Sequence, residues 1–172
     1  MNLPNYITIF RIFLVPFFFS FLIYYNSNHS NFRILALILF LIAIGTDALD
    51  GFIARSFAKK TELGTFLDPF ADKLLLLSGF LGITLSSALT IKPPVWVVVI
   101  VVFRDLFIIC GLGIIFLTTS RIRIHPNFIG KLTTFFQMLT IATVLIEWQH
   151  THLIWLVAAV LTIGSVIGYL AR

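Results

Sequence analysis

The sequence predicts an all-α integral membrane protein: a bundle of six transmembrane helices with both termini in the cytoplasm. Three observations predict it. First, 59% of the 172 residues are hydrophobic and only 11% are charged, with a mean hydropathy of +1.05, which is more apolar surface than a water-soluble domain of this length can hide. Second, the apolar residues fall into runs long enough to cross a bilayer, which takes about 20 residues per helix. Third, lysines and arginines stand singly or in pairs beside those runs and are concentrated in alternate links, the asymmetry that sets orientation in membranes.

Taken in order, residues 1–5 form a lead segment in which Pro4 suits a first helical turn or a stretch at the interface. The spans then fall near 6–25, 33–54, 65–89, 95–118, 128–147 and 153–170. All six read as helices, because lipid offers no partner to unpaired backbone groups and the runs lack the alternation of barrel strands. The first span reads as an uncleaved helix: Arg11 follows the start of the apolar run, and no small-x-small cleavage site comes after it. No repeat of fixed period or linker divides the chain, so residues 1–172 read as one membrane domain.

Orientation follows from the links. Arg55, Lys59 and Lys60 lie in the second-to-third link, Arg121 and Arg123 in the fourth-to-fifth, and Arg172 ends the chain. The opposite links hold Arg33 at an edge, Lys92, and His150 and His152 beside Glu147. The basic links are therefore assigned to the cytoplasm. A net charge of +5 raises the question of nucleic acid, but the charges form no basic stripe, and no nucleic-acid partner is expected. Cys110, the single cysteine, lies within a span and excludes an intrachain disulfide.

The acidic residues are distributed unlike anything else in the chain. Of seven in total, five lie between Asp47 and Asp72, and a carboxylate in hydrocarbon costs several kcal/mol, on the order of what only a proton or a cation offsets. Asp47, Asp50, Gly51 and Ala54 share one helical stripe, and Gly64, Asp68 and Asp72 share another. Two antiparallel helices joined by a short link can face these stripes toward each other. An oxygen-only shell selects hard cations such as magnesium, manganese or calcium, and two ions bridged by carboxylates suit a phosphate displacement. Gly51, Ala54 and Gly64 clear space beside the acids, Arg55, Lys59 and Lys60 supply positive charge for a phosphate, and Glu62 reads as a solvated link residue. The plainer alternative for the small residues is close helix packing.

The pattern Asp47-x2-Asp50-Gly51-x2-Ala54-Arg55-x8-Gly64-x3-Asp68-x3-Asp72 resembles the signature of the CDP-alcohol phosphotransferase family, with every position present. The resemblance implies a six-helix enzyme, usually a homodimer, that moves a phosphatidyl group from CDP-diacylglycerol to an alcohol and releases CMP. It implies Asp47, Asp50 and Asp68 as ligands of two divalent cations, Mg or Mn, with Asp72 completing the second site and serving as general base. It implies Asp50, Gly51, Ala54, Arg55 and Gly64 as the groups that hold the CDP part. The expected setting is a bacterial inner membrane with the site facing the cytoplasm.

The acceptor is read from outside that stretch. Arg104 and Lys131 are expected to bind the phosphate of a glycerol-type anionic acceptor; the competing readings are an Arg104 to Asp105 pair that only fixes helix packing and a snorkelling Lys131. The segments Leu3-Pro-Asn-x2-Thr8-x2-Arg11 and Ile129-Gly130-Lys131 resemble both the phosphatidylglycerol phosphate synthases and the cardiolipin synthases of the family. The pair Arg104-Asp105, with Leu112 where a second arginine is expected, leans toward the cardiolipin synthase branch and phosphatidylglycerol as acceptor. Glycerol 3-phosphate is the alternative. Readings of another class are an intramembrane prenyltransferase and a cation transporter.

Overall fold

A computed structural model describes residues 3–26, 28–57, 62–119 and 128–170, with side chains described at 6–26, 28–47, 67–111, 113, 114 and 128–166. Six helices follow one another: α1 (Leu3–Tyr24), α2 (Asn31–Phe57), α3 (Glu62–Leu85), α4 (Val95–Thr119), α5 (Phe128–Ile146) and α6 (Thr151–Leu170). There is no strand among the described residues. Among the described residues, two helices are long and apolar enough to cross a membrane, at Tyr6–Tyr24 and Phe128–Ile146, and Thr151–Val166 is a shorter apolar stretch.

Two boundaries differ from the sequence reading for physical reasons. Glu62, expected in a solvated link, is the first residue of α3. The third span ends at Leu85 and not at residue 89, because apolar content extended the expected run through Leu89, which is buried in a loop. That loop is tied by Lys92, whose ammonium donates to the Ser86 carbonyl, and it closes on Pro94, whose carbonyl accepts from Val97 N at 2.9 Å as α4 begins. Proline here starts the next helix without needing an N–H.

Side-chain contacts fix how the helices run. α1 lies antiparallel to α2, with Arg11 against Asp47 and Phe18 stacked on Phe40 at 5.4 Å between ring centroids. α1 and α3 run parallel: Thr8 meets Asp68, Arg11 meets Asp72, and Leu22 packs on Gly82. α3 and α5 also run parallel, since Lys73 meets Thr134 and Gly79 meets Ile141. The glycines matter at this contact, because a Cβ at Gly79 would stand 2.6 Å from Ile141 Cδ1 and one at Gly82 2.6 Å from Leu22 Cδ1. Phe18, Phe40, Phe80 and Ile141 form the centre of the apolar core and are fully buried.

At the far end, Glu147 adopts a left-handed backbone (φ 59°) that terminates α5. Trp148 N donates to Thr143 O at 3.0 Å and Glu147 N to Val144 O at 3.0 Å, the paired bonds of a Schellman end. A non-glycine residue there costs on the order of 1 kcal/mol. The side chain offsets it by pairing with Arg33 of α2, while Thr90 donates to it at 3.5 Å.

A buried polar network ties α3 to α6. Asp105 Oδ1 receives Lys73 Nζ at 3.0 Å and Arg104 Nη1 at 2.7 Å; Lys73 also donates to Thr134 Oγ1 at 3.2 Å, and Arg104 Nε donates to Ser165 Oγ at 3.1 Å. One carboxylate oxygen is thus shared by two cations. Asp105→Ala, which strands both, is expected to lower stability by about 3–5 kcal/mol, and Lys73→Met by much less, as measured by thermal unfolding in detergent. In the same assay Gly82→Leu is expected to cost about 1–3 kcal/mol by overpacking, whereas Gly164→Ala, whose Cβ meets nothing within 4 Å, leaves the midpoint unchanged.

Candidate active site

The parallel run of α1, α3 and α5 brings polar groups from all six helices to one level of the bundle. Thr8 and Arg11 come from α1, Asp47 from α2, Asp68, Asp72 and Lys73 from α3, Arg104 and Asp105 from α4, Thr133 and Thr134 from α5, and Ser165 from α6. Helical spacing explains the register within each element. Asp68 and Asp72 are one turn apart on α3, as are Thr8 and Arg11 on α1, so a pair on one helix meets a pair on the other.

Arg11 is the centre of that meeting. Its guanidinium Nη1 lies 3.0 Å from Asp47 Oδ1 and 2.7 Å from Asp72 Oδ1. Thr8 Oγ1 donates to Asp68 Oδ1 at 2.6 Å. The arginine side chain is 1% exposed, while Asp47 is 39% and Asp72 24% exposed. The carboxylates therefore have one side against a buried cation and another side open, the arrangement of a site that takes something from outside the bundle.

The sequence-predicted residues separate into two groups here. Asp47, Asp68 and Asp72 are brought to the same level, with Asp47 and Asp72 sharing one nitrogen. Asp50, Gly51, Ala54 and Arg55 fall within α2 and Gly64 within α3, but their side chains lie outside the described residues, as does that of Leu112 and as do Lys59 and Lys60 altogether. Arg104 is buried and engaged by Asp105 and Ser165, the packing arrangement foreseen as its alternative role. Lys131 is exposed on the first turn of α5. Lys73 is buried in the network beside Asp72.

A divalent ion suits this donor set. The oxygens of Asp47 and Asp72 already converge on a single positive atom, and hard cations prefer such oxygen ligands. No three acidic, histidine or cysteine side chains form a ligand group among the described residues, and Asp50 lies outside them. Sequence reasoning missed the contacts of Thr8 and Arg11 with the acids. It also missed Gln137, one turn from Thr134, which is fully buried with both amide atoms lacking a hydrogen-bond partner among the described residues.

Comparison with known proteins agrees with the signature. The sequence profile described as CDP-alcohol phosphatidyltransferase matches residues 1–165. A Mycobacterium tuberculosis (strain H37Rv) protein named probable phosphatidylglycerophosphate synthase is 34% identical over 177 residues, covering 99% of this chain and 81% of its own length. The Bacillus subtilis (strain 168) CDP-diacylglycerol–glycerol-3-phosphate 3-phosphatidyltransferase is 33% identical over 155 residues, covering 85% of this chain and 77% of its own. Its Escherichia coli (strain K12) namesake is 32% identical over 185 residues, covering 99% and 93%. With the profile spanning nearly all of the sequence and these relatives above 30% identity over most of their length, the chain belongs to the CDP-alcohol phosphatidyltransferase family of enzymes.

Proposed function

We propose that this enzyme transfers a phosphatidyl group from CDP-diacylglycerol to glycerol 3-phosphate, releasing CMP. The observation that carries the site is the meeting of Asp47 and Asp72, from two helices, on one cationic nitrogen. The acceptor rests on the relatives: those named above for an acceptor or product are glycerol-3-phosphate enzymes or phosphatidylglycerophosphate synthases. The lean toward phosphatidylglycerol drawn from Asp105 and Leu112 is weaker than this. Asp105 is occupied with Lys73 and Arg104, so an aspartate at this position has a packing reason independent of the acceptor.

In this reading Asp47, Asp50, Asp68 and Asp72 hold two divalent cations, Mg or Mn, which when bound neutralise the diphosphate of the donor. Asp72 takes the proton of the acceptor hydroxyl as its oxygen attacks the phosphatidyl phosphorus. The bond to the CMP oxygen breaks, and CMP leaves with the electron pair. Asp50, Gly51, Ala54, Arg55 and Gly64, whose side chains lie outside the described residues, are assigned to the CDP part by their place in the family signature. Lys131, exposed at the start of α5, meets the phosphate of the acceptor, together with Arg104 if the latter turns from its present partners.

The chain reads as one domain with six spans, set in a bacterial inner membrane as a homodimer. Both termini and the polar level lie on the cytoplasmic side. Support for that orientation comes from the helix directions. The acids lie toward the end of the bundle where α2 gives way to α3 and α4 to α5, and in the sequence it is between those helices that Arg55, Lys59, Lys60, Arg121 and Arg123 occur.

Purified enzyme is expected to release CMP from CDP-diacylglycerol only with Mg or Mn present, and chelation with EDTA should stop it. Asp68→Asn and Asp72→Asn are each expected to lower the rate by about 100-fold or more; undiminished turnover in either overturns the site, and ion flux in liposomes without CMP release favours a transporter. Supplied with labelled glycerol 3-phosphate and with phosphatidylglycerol in parallel, the enzyme should convert the former. Lys131→Ala should raise the KM for glycerol 3-phosphate about tenfold, the worth of one hydrogen bond between charged groups.

A further inference from the structure

We infer that Arg11 is a built-in counter-ion that holds Asp47 and Asp72 together until a divalent cation arrives, and that it competes with that cation for their oxygens. The inference rests on the reading of Asp47 and Asp72 as cation ligands. Three observations carry it. Arg11 Nη1 bridges Oδ1 of both acids, at 3.0 and 2.7 Å. The side chain is 1% exposed, so it is neither a topology signal nor a group reaching for the interface. The two acids come from different helices and have no covalent reason to stay close, while each retains an open side.

Electrostatics makes the arrangement necessary. Acids facing one another across two helices repel, and in an apolar surrounding that repulsion is weakly screened. A buried guanidinium between them removes the repulsion and fixes their separation, but it also places positive charge where a cation would bind. Thr8, bonded to Asp68 at 2.6 Å, offers a neutral comparison on the same helix: it orients a carboxylate without adding charge. Arg11 is thus a positioning residue that acts through the carboxylates. Its removal should lower turnover yet tighten ion binding, a combination that loss of packing does not produce.

The test is Mn2+ binding to detergent-purified protein without lipid substrate or nucleotide, followed by loss of the aqueous Mn2+ signal in electron paramagnetic resonance. Arg11→Met is expected to bind Mn2+ about fivefold tighter than wild type, as removal of one nearby like charge requires. Arg11→Lys should stay close to wild type, and Thr8→Val should show no tightening. The rise in thermal midpoint on adding Mn2+ should be larger for Arg11→Met than for wild type. Arg11→Gln, which keeps polarity and loses charge, provides the same readout if the methionine variant fails to fold. Unchanged or weaker binding in the charge-removing variant overturns the inference. Absence of Mn2+ binding by the wild type overturns instead the reading of the aspartates as ligands.

Discussion

The contact on which the rest of the structure depends is the one between Arg11 and the two aspartates. A chain this apolar can hold several carboxylates only if each finds opposite charge or a hydrogen-bond donor. That requirement draws α1 against both α2 and α3 at a fixed height. It sets the parallel run of α1 and α3, and with it the seating of Leu22 on Gly82 and of Phe18 near Gly79 further along. The apolar core follows from the position of the charges.

The neighbouring network obeys the same rule with a different outcome. Asp105 is fully buried and its Oδ1 is shared by Lys73 and Arg104, whereas Asp47 and Asp72 remain partly open. A closed charge cluster locks helices, and an open one is able to exchange its partner. The two lie side by side, because Lys73 follows Asp72 directly in α3. In the proposed mechanism the closed cluster would give Asp72 rigid support, since catalytic groups lose effect with small displacements.

Much of this was legible in the sequence, and the exceptions have physical causes. Helix number followed from the spacing of apolar runs, and the family followed from eight typed residues at fixed spacing. The pairing of Arg11 with Asp72 was not legible, because a contact between residues 61 apart leaves no local trace. Lys73 was ambiguous because an ammonium next to an acid on a helix can reach outward or inward, and only the position of Asp105 on α4 decides it. The end of α3 was misplaced because a buried loop residue such as Leu89 is as apolar as a membrane-spanning one. The lean toward phosphatidylglycerol as acceptor is the less supported of the two readings, because it drew on Asp105, whose identity is also explained by its packing against Lys73 and Arg104.

The left-handed turn at Glu147 has a practical side. Thr151 closes this turn twice, through its N–H to Trp148 O at 3.1 Å and through its hydroxyl to the same oxygen at 2.6 Å. The passage from α5 to α6 is therefore a fixed-length joint, since each added residue would break bonds at both ends of it. An engineer who wishes to attach a label or splice in a reporter should leave this joint intact. The 26–30 link is the better place: it is solvent-exposed where described, and the described bonds that hold it, from Asn28 and His29 to Asn26 and from Phe32 to His29, are local to the link and the start of α2.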